Sequence, residues 1–345
     1  MGYQRTLLVT GGAGFIGASF VAHHFQAHPH DQIIVLDALT YAGSLERLPG
    51  HVRESERFRF VQGSVRSPQV VPALLAEADV VVHFAAETHV PRSISDNLAF
   101  FETDVLGTQA LASQVLACHD RIERFIHISS SEVYGTAASE EMDEEHPLRP
   151  STPYAAAKCA ADRLIYSFVQ TYGLPAVIVR PFNNYGPGQH LEKLVARFIA
   201  NALLGDPLSI HGDGTAARDW IFVDDTCDAI ERVLDAPLAD VRGDVFNVGT
   251  GRATDVLTIA RKVVELTGGR ADSIVHTRDR PGQVRLHRAH TGKIRQRLDF
   301  QPRVSLEQGL EATVRWYRDN RDWWQRQLWM RAVPITDGSG SISYW

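Results

Sequence analysis

Through the first half of the chain, short apolar runs alternate with longer stretches in which apolar residues recur every three to four positions. The short runs fall at 7–10, 32–36, 58–62, 80–84, 125–129 and 176–180, and several are almost wholly apolar. That is the pattern of parallel strands covered on both faces. The helix-length stretches between them include 15–26, 100–117 and 154–172. Repeated strand–helix alternation predicts an α/β fold with a Rossmann-type, doubly wound parallel sheet.

After about residue 185 the pattern becomes irregular. Gly186-Pro187-Gly188, Gly205-Asp206-Pro207 and Gly212-Asp213-Gly214 punctuate it, and helical periodicity returns at 256–266 and 306–318. The expected organisation is a Rossmann-type domain over 1–184, to which 223–250 return. A smaller α/β substrate lobe is built from 185–222 and 251–329. Residues 330–345, with Gly338-Ser339-Gly340-Ser341, read as a flexible tail.

Composition narrows the class. Of 345 residues 44% are hydrophobic and 22% charged, as in an ordinary folded protein, and the formal charge of -6 gives no field for nucleic acid. No apolar run is long enough to span a membrane, and a strand-like run begins too early for a signal peptide. Cys118, Cys159 and Cys227 are odd in number and far apart, which argues against disulfides or a zinc site and for a reducing, cytoplasmic setting. His23, His24, His28 and His30 cluster, but a metal needs a third ligand and a second shell, so no metal is expected.

Val9-Thr10-Gly11-Gly12-Ala13-Gly14-Phe15-Ile16-Gly17 follows a strand and opens a helix. Glycines at 11, 14 and 17 permit a tight turn, close approach to a pyrophosphate and helix-on-strand packing. The helix start offers unpaired N–H groups to the phosphates. Asp37 ends the second strand, where an acid meets ribose hydroxyls and repels a 2′-phosphate, so NAD is expected rather than NADP.

With Tyr154-Ala155-Ala156-Ala157-Lys158 downstream, this spacing resembles the extended short-chain dehydrogenase/reductases that act on nucleotide sugars. A phenol has a reference pKa of about 10, and a lysine one helical turn away can lower it. Longer strings resemble the dTDP-glucose 4,6-dehydratases, from about residue 6 to 325. They are Asp37-Ala38-Leu39-Thr40-Tyr41-Ala42-Gly43, Ala85-Ala86-Glu87-Thr88-His89-Val90, Asn183-Asn184-Tyr185-Gly186-Pro187, Glu192-Lys193-Leu194 and Arg218-Asp219-Trp220. The resemblance implies that Gly11, Gly14, Phe15, Ile16, Gly17, Asp37, Thr40, Ala85 and Ala86 bind the cofactor with Tyr154 and Lys158. It assigns the nucleotide sugar to Thr88, Asn183, Asn184, Glu192, Lys193, Leu194, His211, Arg218, Asn247 and Arg280. It further implies a homodimer joined by the helices at 100–117 and 154–172 in a four-helix bundle.

Four segments depart from the family pattern. Thr-Asp-Glu is here Ser130-Ser131-Glu132, so serine replaces the family's acid. Ser64 stands for an adenine-contacting Asp, Asp104 for an Asn, and Gln283-Val284 for His-Asp after Arg280-Pro281-Gly282. The implied catalytic set is Tyr154, Lys158, Ser130, Ser131 and Glu132. Tyr154 takes the C4 hydroxyl proton, Ser130 bonds the same hydroxyl, and Glu132 removes the proton at C5 once C4 is a ketone. Serine is too weak an acid to protonate a leaving hydroxyl alone. It could relay a proton, or Glu132 could carry the C5 proton to O6. A simple 4-epimerase needs no such carboxylate, whereas GDP-mannose dehydratases and UDP-glucuronate decarboxylases share the serine–glutamate pair. Dehydration is the leading reading, with epimerisation and decarboxylation as alternatives. A non-catalytic NAD-binding regulator is the remote one, because such proteins tend to lose the tyrosine–lysine pair kept here.

Overall fold

The structure, a computed structural model, describes residues 3–118, 120–279, 282–336 and 342–344. In chain order the strands are β1 (Thr6–Thr10), β2 (Gln32–Asp37), β3 (Phe58–Gln62), β4 (Val80–His83), β5 (Arg124–Ile128) and β6 (Ala176–Pro181). They continue with β7 (Asn183–Tyr185), β8 (Leu208–His211), β9 (Ala217–Phe222), β10 (Val245–Val248), β11 (Ala253–Asp255) and β12 (Ile274–Thr277). Seven of them form one sheet in the order β10-β6-β5-β4-β1-β2-β3, every pairing parallel. Strand order reverses between β1 and β4, and the crevice above that switch point is where doubly wound sheets take ligands.

The sheet is covered on both faces, which is why its strands read as nearly continuous apolar runs. Leu7 and Val9 of β1 pack into one core with Phe20, Ile230 and Phe246, while Leu8 points to the other with Leu111 and Ile165. A separate core joins helices Leu194–Leu204, Val256–Thr267 and Leu306–Asp319 around Phe198, Ile259, Leu310 and Trp324. Helix Val223–Asp235 and β10 rejoin the first lobe: the helix packs on Phe15–Ala27, and β10 pairs with β6.

One expectation is corrected. The single helix expected over 100–117 is broken: Phe101–Gly107 is wound as a π-helical stretch before the α-helix Thr108–Ala117. Wide turns of this kind shift side-chain register and are frequent at functional sites, and this one turns Asp104 inward to accept from the Glu87 backbone N–H at 2.8 Å. Within the expected flexible tail, Pro334–Thr336 pairs antiparallel with Ile342–Tyr344, and the Pro334 carbonyl accepts from Ser95 Oγ at 3.1 Å. The Gly-Ser-Gly-Ser stretch itself lies outside the described residues.

The histidine cluster acquires the carboxylate that the sequence did not supply. His24 Nδ1 lies 3.0 Å and His28 Nε2 3.2 Å from the Glu231 carboxylate, and His24 Nε2 lies 3.2 Å from Asp31. Arg5 occupies the remaining side, donating to Asp31 at 3.0 Å and to His28 Nδ1 at 3.2 Å. A metal on His28 Nε2 would need a proton on the ring nitrogen that Arg5 already fills with its own N–H. The group therefore works as a polar stitch between the first helix and the returning one.

Candidate active site

One cavity of about 410 Å³ runs along the strand ends from the glycine turn to the smaller lobe. At its dinucleotide end β1 turns sharply at Gly11, which has φ +71°. A Cβ there would lie 2.5 Å from the Ala85 backbone nitrogen, so only glycine lets the turn sit against the end of β4. Gly14, Phe15, Ile16 and Gly17 line the same wall. Asp37, the last residue of β2, accepts from the backbone N–H groups of Ala13 at 2.9 Å and Leu39 at 2.8 Å. Burial raises its pKa, and those two hydrogen bonds oppose the rise. Thr40, Ala85 and Ala86 complete this wall, with Ser64 at the adenine-side departure. A glycine cradle with no room for side chains, facing a carboxylate held by backbone amides, fits a dinucleotide.

The chemical centre is assembled by two short local devices. Thr152 caps the helix Pro153–Tyr172 by accepting from Ala155 N at 3.2 Å, with proline in its first turn. Tyr154 and Lys158 are thereby set one turn apart on the buried face. After β5, Ser130 caps a tight turn by accepting from Glu132 N at 3.2 Å, which aims Ser131 and Glu132 into the same cavity.

The electrostatics differ from the simple expectation. Burial pushes the Tyr154 phenol above its ordinary pKa; a Ser130 hydrogen bond pulls it back, while Asp104 and Glu132 push it further up. Burial also lowers the Lys158 ammonium, whose Nζ donates to the Ile128 carbonyl at 2.8 Å and faces Asp104. Asp104 in turn is raised by burial against the pull of Lys158. Lys158 acts from a fixed mount beneath the phenol, and Asp104, the residue in place of the family's asparagine, is its acidic neighbour.

The mount is rigid. Beneath Ser130, Asp162 accepts from Ser129 Oγ at 2.7 Å and from Arg180 at 2.8 and 2.9 Å. Burial would raise the Asp162 carboxyl, but the Arg180 ion pair outweighs it and holds the group below the usual carboxylate range. Removing one partner of such a buried pair costs about 3–5 kcal/mol.

At the far end Thr88, Asn183, Asn184, Lys193, Leu194 and Arg218 line the cavity, with His211 at its margin. The side-chain oxygens of Asn183 and Asn184 are buried without hydrogen-bond partners, which suits sites built to meet a polar ligand. Arg218 supplies a guanidinium for phosphate. Glu192 also lines the wall, but its carboxylate is committed to Tyr41 OH at 2.9 Å, Arg92 Nε at 3.1 Å and His190 Nε2 at 3.0 Å. It organises the cations around it.

Asn247 is not brought to the cavity. It is fully buried, accepting from Tyr134 OH at 2.7 Å and donating to the Met142 carbonyl at 2.9 Å, so its place in the substrate set is corrected to a structural one. Arg280 lies outside the described residues. Sequence reading also missed Arg197 and Gln189, which line the cavity, and His287, which stands behind Ser131.

The family model for GDP-mannose 4,6 dehydratase matches residues 8–313. The chain belongs to that family. Among the members of this GDP-mannose 4,6 dehydratase family that the chain is similar to, a dTDP-glucose 4,6-dehydratase of Streptomyces niveus is 42% identical over 323 residues, covering 92% of this chain and 94% of that one. The structure is similar to that of DesIV, a dTDP-glucose 4,6-dehydratase of Streptomyces venezuelae solved with NAD bound. There the TM-score is 0.88 and the identity 40%, over 93% of this chain and 99% of that chain. A UDP-glucose 4-epimerase of Thermotoga maritima also matches, at TM-score 0.84 and 29% identity, over 92% of this chain and 99% of that chain.

Proposed function

We propose that this protein is an NAD-dependent 4,6-dehydratase of a nucleotide-diphosphate hexose of the dTDP-glucose type. The observation that carries the reading is the meeting of Tyr154, Lys158, Ser130 and the Glu132 carboxylate in one cavity continuous with the dinucleotide groove. An epimerase needs the first three only; the carboxylate is what chemistry at C5 requires.

Gly11, Gly14, Gly17 and Asp37 would hold NAD, and the carboxylate of Asp37 disfavours a 2′-phosphate. Bound there, NAD would supply an acceptor for the C4 hydride and a donor of that hydride to C6, and its positive ring would favour a phenolate nearby. The chain's own groups move the protons. Tyr154 takes the C4 hydroxyl proton while Ser130 holds that oxygen. The new ketone acidifies the C5 hydrogen, and Glu132 removes it. Electrons from that C–H bond form the C5–C6 double bond as the C6–O6 bond breaks, and water leaves. Lys193 and Arg218 supply positive charge for the diphosphate, and the amide oxygens of Asn183 and Asn184 can accept from a donor on the base or sugar, so the hexose is presented between Tyr154 and Glu132.

The test is a panel of dTDP-, UDP- and GDP-hexoses with mass detection of products. The expected result is loss of one water and a 4-keto-6-deoxy sugar, fastest with a dTDP-hexose. A product of unchanged mass, or loss of carbon dioxide from a uronate, overturns the reading.

The described residues contain no helix long and apolar enough to cross a membrane, and a highly charged nucleotide-sugar substrate points to work in the cytoplasm. The division of the chain into a dinucleotide lobe and a nucleotide-sugar lobe is part of the same reading. So is a homodimer. Leu98, Leu106, Tyr166 and Tyr172 are exposed to 64%, 50%, 40% and 62%, on or beside the two neighbouring helices named for pairing, whereas Leu111 of the same region is core. Apolar exposure of this kind marks an interaction surface. Light scattering at micromolar concentration should give twice the chain mass; a monomer counts against the bundle.

A further inference from the structure

The elimination described above needs an acid for the departing O6, and the position where the family pattern carries an aspartate is Ser131. A hydroxyl cannot serve alone, since it must regain a proton as it gives one up. The structure provides a partner for it. His287, in the segment that pairs through Leu286 with Ala217 and through Ala289 with Met142, is completely buried beneath Ser131.

Its orientation is fixed. His287 Nε2 donates to the Gly135 carbonyl at 2.7 Å, so the proton of the neutral ring resides there and the lone pair of Nδ1 faces the cavity wall. Ser131 Oγ lies 3.5 Å from Nδ1 and Glu132 Oε1 3.9 Å from the same atom. One ring nitrogen thus faces both side chains assigned to the C5–C6 bond in the proposed reaction, at the limit of hydrogen bonding to Ser131 and just beyond it from Glu132. The edge of the ring is closed off by Phe182, with ring centroids 6.2 Å apart.

We infer that His287 is a positioning residue and proton carrier that joins Glu132 to Ser131, so that the pair Ser131–His287 replaces the missing carboxylic acid. This rests on the dehydratase reading. Glu132 takes the proton from C5. It passes to His287 Nδ1, and the imidazolium gives it to Ser131 Oγ as the Ser131 hydroxyl proton goes to O6. The C6–O6 bond breaks with its electrons on oxygen, and water departs. The serine and histidine end as they began. The C4 hydroxyl proton, received by Tyr154, balances the proton that later returns to C5.

The surroundings suit such a carrier. Burial lowers the His287 pKa to about 4; Glu132 pulls it up, Arg218 pushes it down, the Gly135 carbonyl raises it and His146 lowers it. The ring is therefore neutral at physiological pH, ready to accept.

The test exploits the leaving group. A 6-deoxy-6-fluoro analogue of the active dTDP-hexose loses fluoride, which needs far less help from an acid than hydroxide does. In full-length H287F, turnover of the normal substrate should fall by about 100-fold or more, as expected for loss of one acid–base group. Turnover of the fluoro analogue should stay within a few-fold of the unaltered enzyme. Ser131→Ala should show the same split without disturbing the buried ring, which keeps the proposal testable if H287F does not fold. H287Q, which can still accept from Ser131 but cannot carry a proton, should behave like H287F. Parallel losses on both substrates, or no loss on either, overturn the relay while leaving the dehydratase reading intact. If the unaltered enzyme removes no water from any hexose, both readings fall together.

Discussion

Replacing Tyr154 by phenylalanine should lower turnover by about 10²–10⁴-fold or more, the range for removal of a positioned general base. The change deletes one oxygen. The ring remains against Phe100, whose centroid is 6.2 Å away at an interplanar angle of 74°, and the helix keeps its Thr152 cap. Fold and NAD binding should therefore be unchanged, as thermal melting and a cofactor titration would read. What disappears is the atom that accepts the C4 proton, and neither Ser130 nor Lys158 can replace it. Ser130 is held as a turn cap by Glu132 N, and Lys158 Nζ is tied to the Ile128 carbonyl. Turnover within about tenfold of the unaltered enzyme would remove Tyr154 from its assigned role, since loss of such a group costs more than that.

The second large effect concerns Glu132. Glu132→Gln preserves size and hydrogen bonding but abolishes basicity, and water loss should fall by at least about 100-fold. Run in D2O, the unaltered enzyme should place deuterium at C5 of the product, because the abstracted proton leaves with the departing water and the one delivered to C5 comes from an exchangeable, solvent-equilibrated hydroxyl. The variant should return substrate with no label at C5. A variant that still labels C5 would mean that another base works there, and a product lacking deuterium in the unaltered enzyme would point away from C5 chemistry altogether.

What could be read from the chain follows the range of the interactions. The cradle at Gly11, Gly14 and Gly17 is a local turn, and Asp37 reaches it through neighbouring backbone amides, so spacing alone reveals both. Tyr154 and Lys158 are one helical turn apart, and the Ser130 cap is separated from Glu132 by one residue. Each of these is written in consecutive residues. The π-helical stretch Phe101–Gly107 was not legible, because its extra width depends on Asp104 reaching the Glu87 N–H across a loop. Asn247 was misassigned for a related reason: its partners Tyr134 and Met142 come from segments 113 and 105 residues away. His287 carried no local signal either. It meets Ser131 across 156 residues, and a histidine in an irregular segment resembles any other until the fold brings the two together.

The position of β10 at one end of the main sheet has a consequence for how the chain is made. Its partner β6 is complete by Pro181, yet the strand that covers it spans Val245–Val248, after the first segment of the smaller lobe and the helix Val223–Asp235 have been synthesised. During translation the nascent sheet therefore waits with the β6 edge bare, and a bare apolar edge is a template for mispairing with other chains. The stitch from His24 to Glu231 closes in the same interval. The ribosome must deliver the returning segment before either seam can shut, so that interval is the aggregation-prone stage of biogenesis, when a chaperone has most to protect.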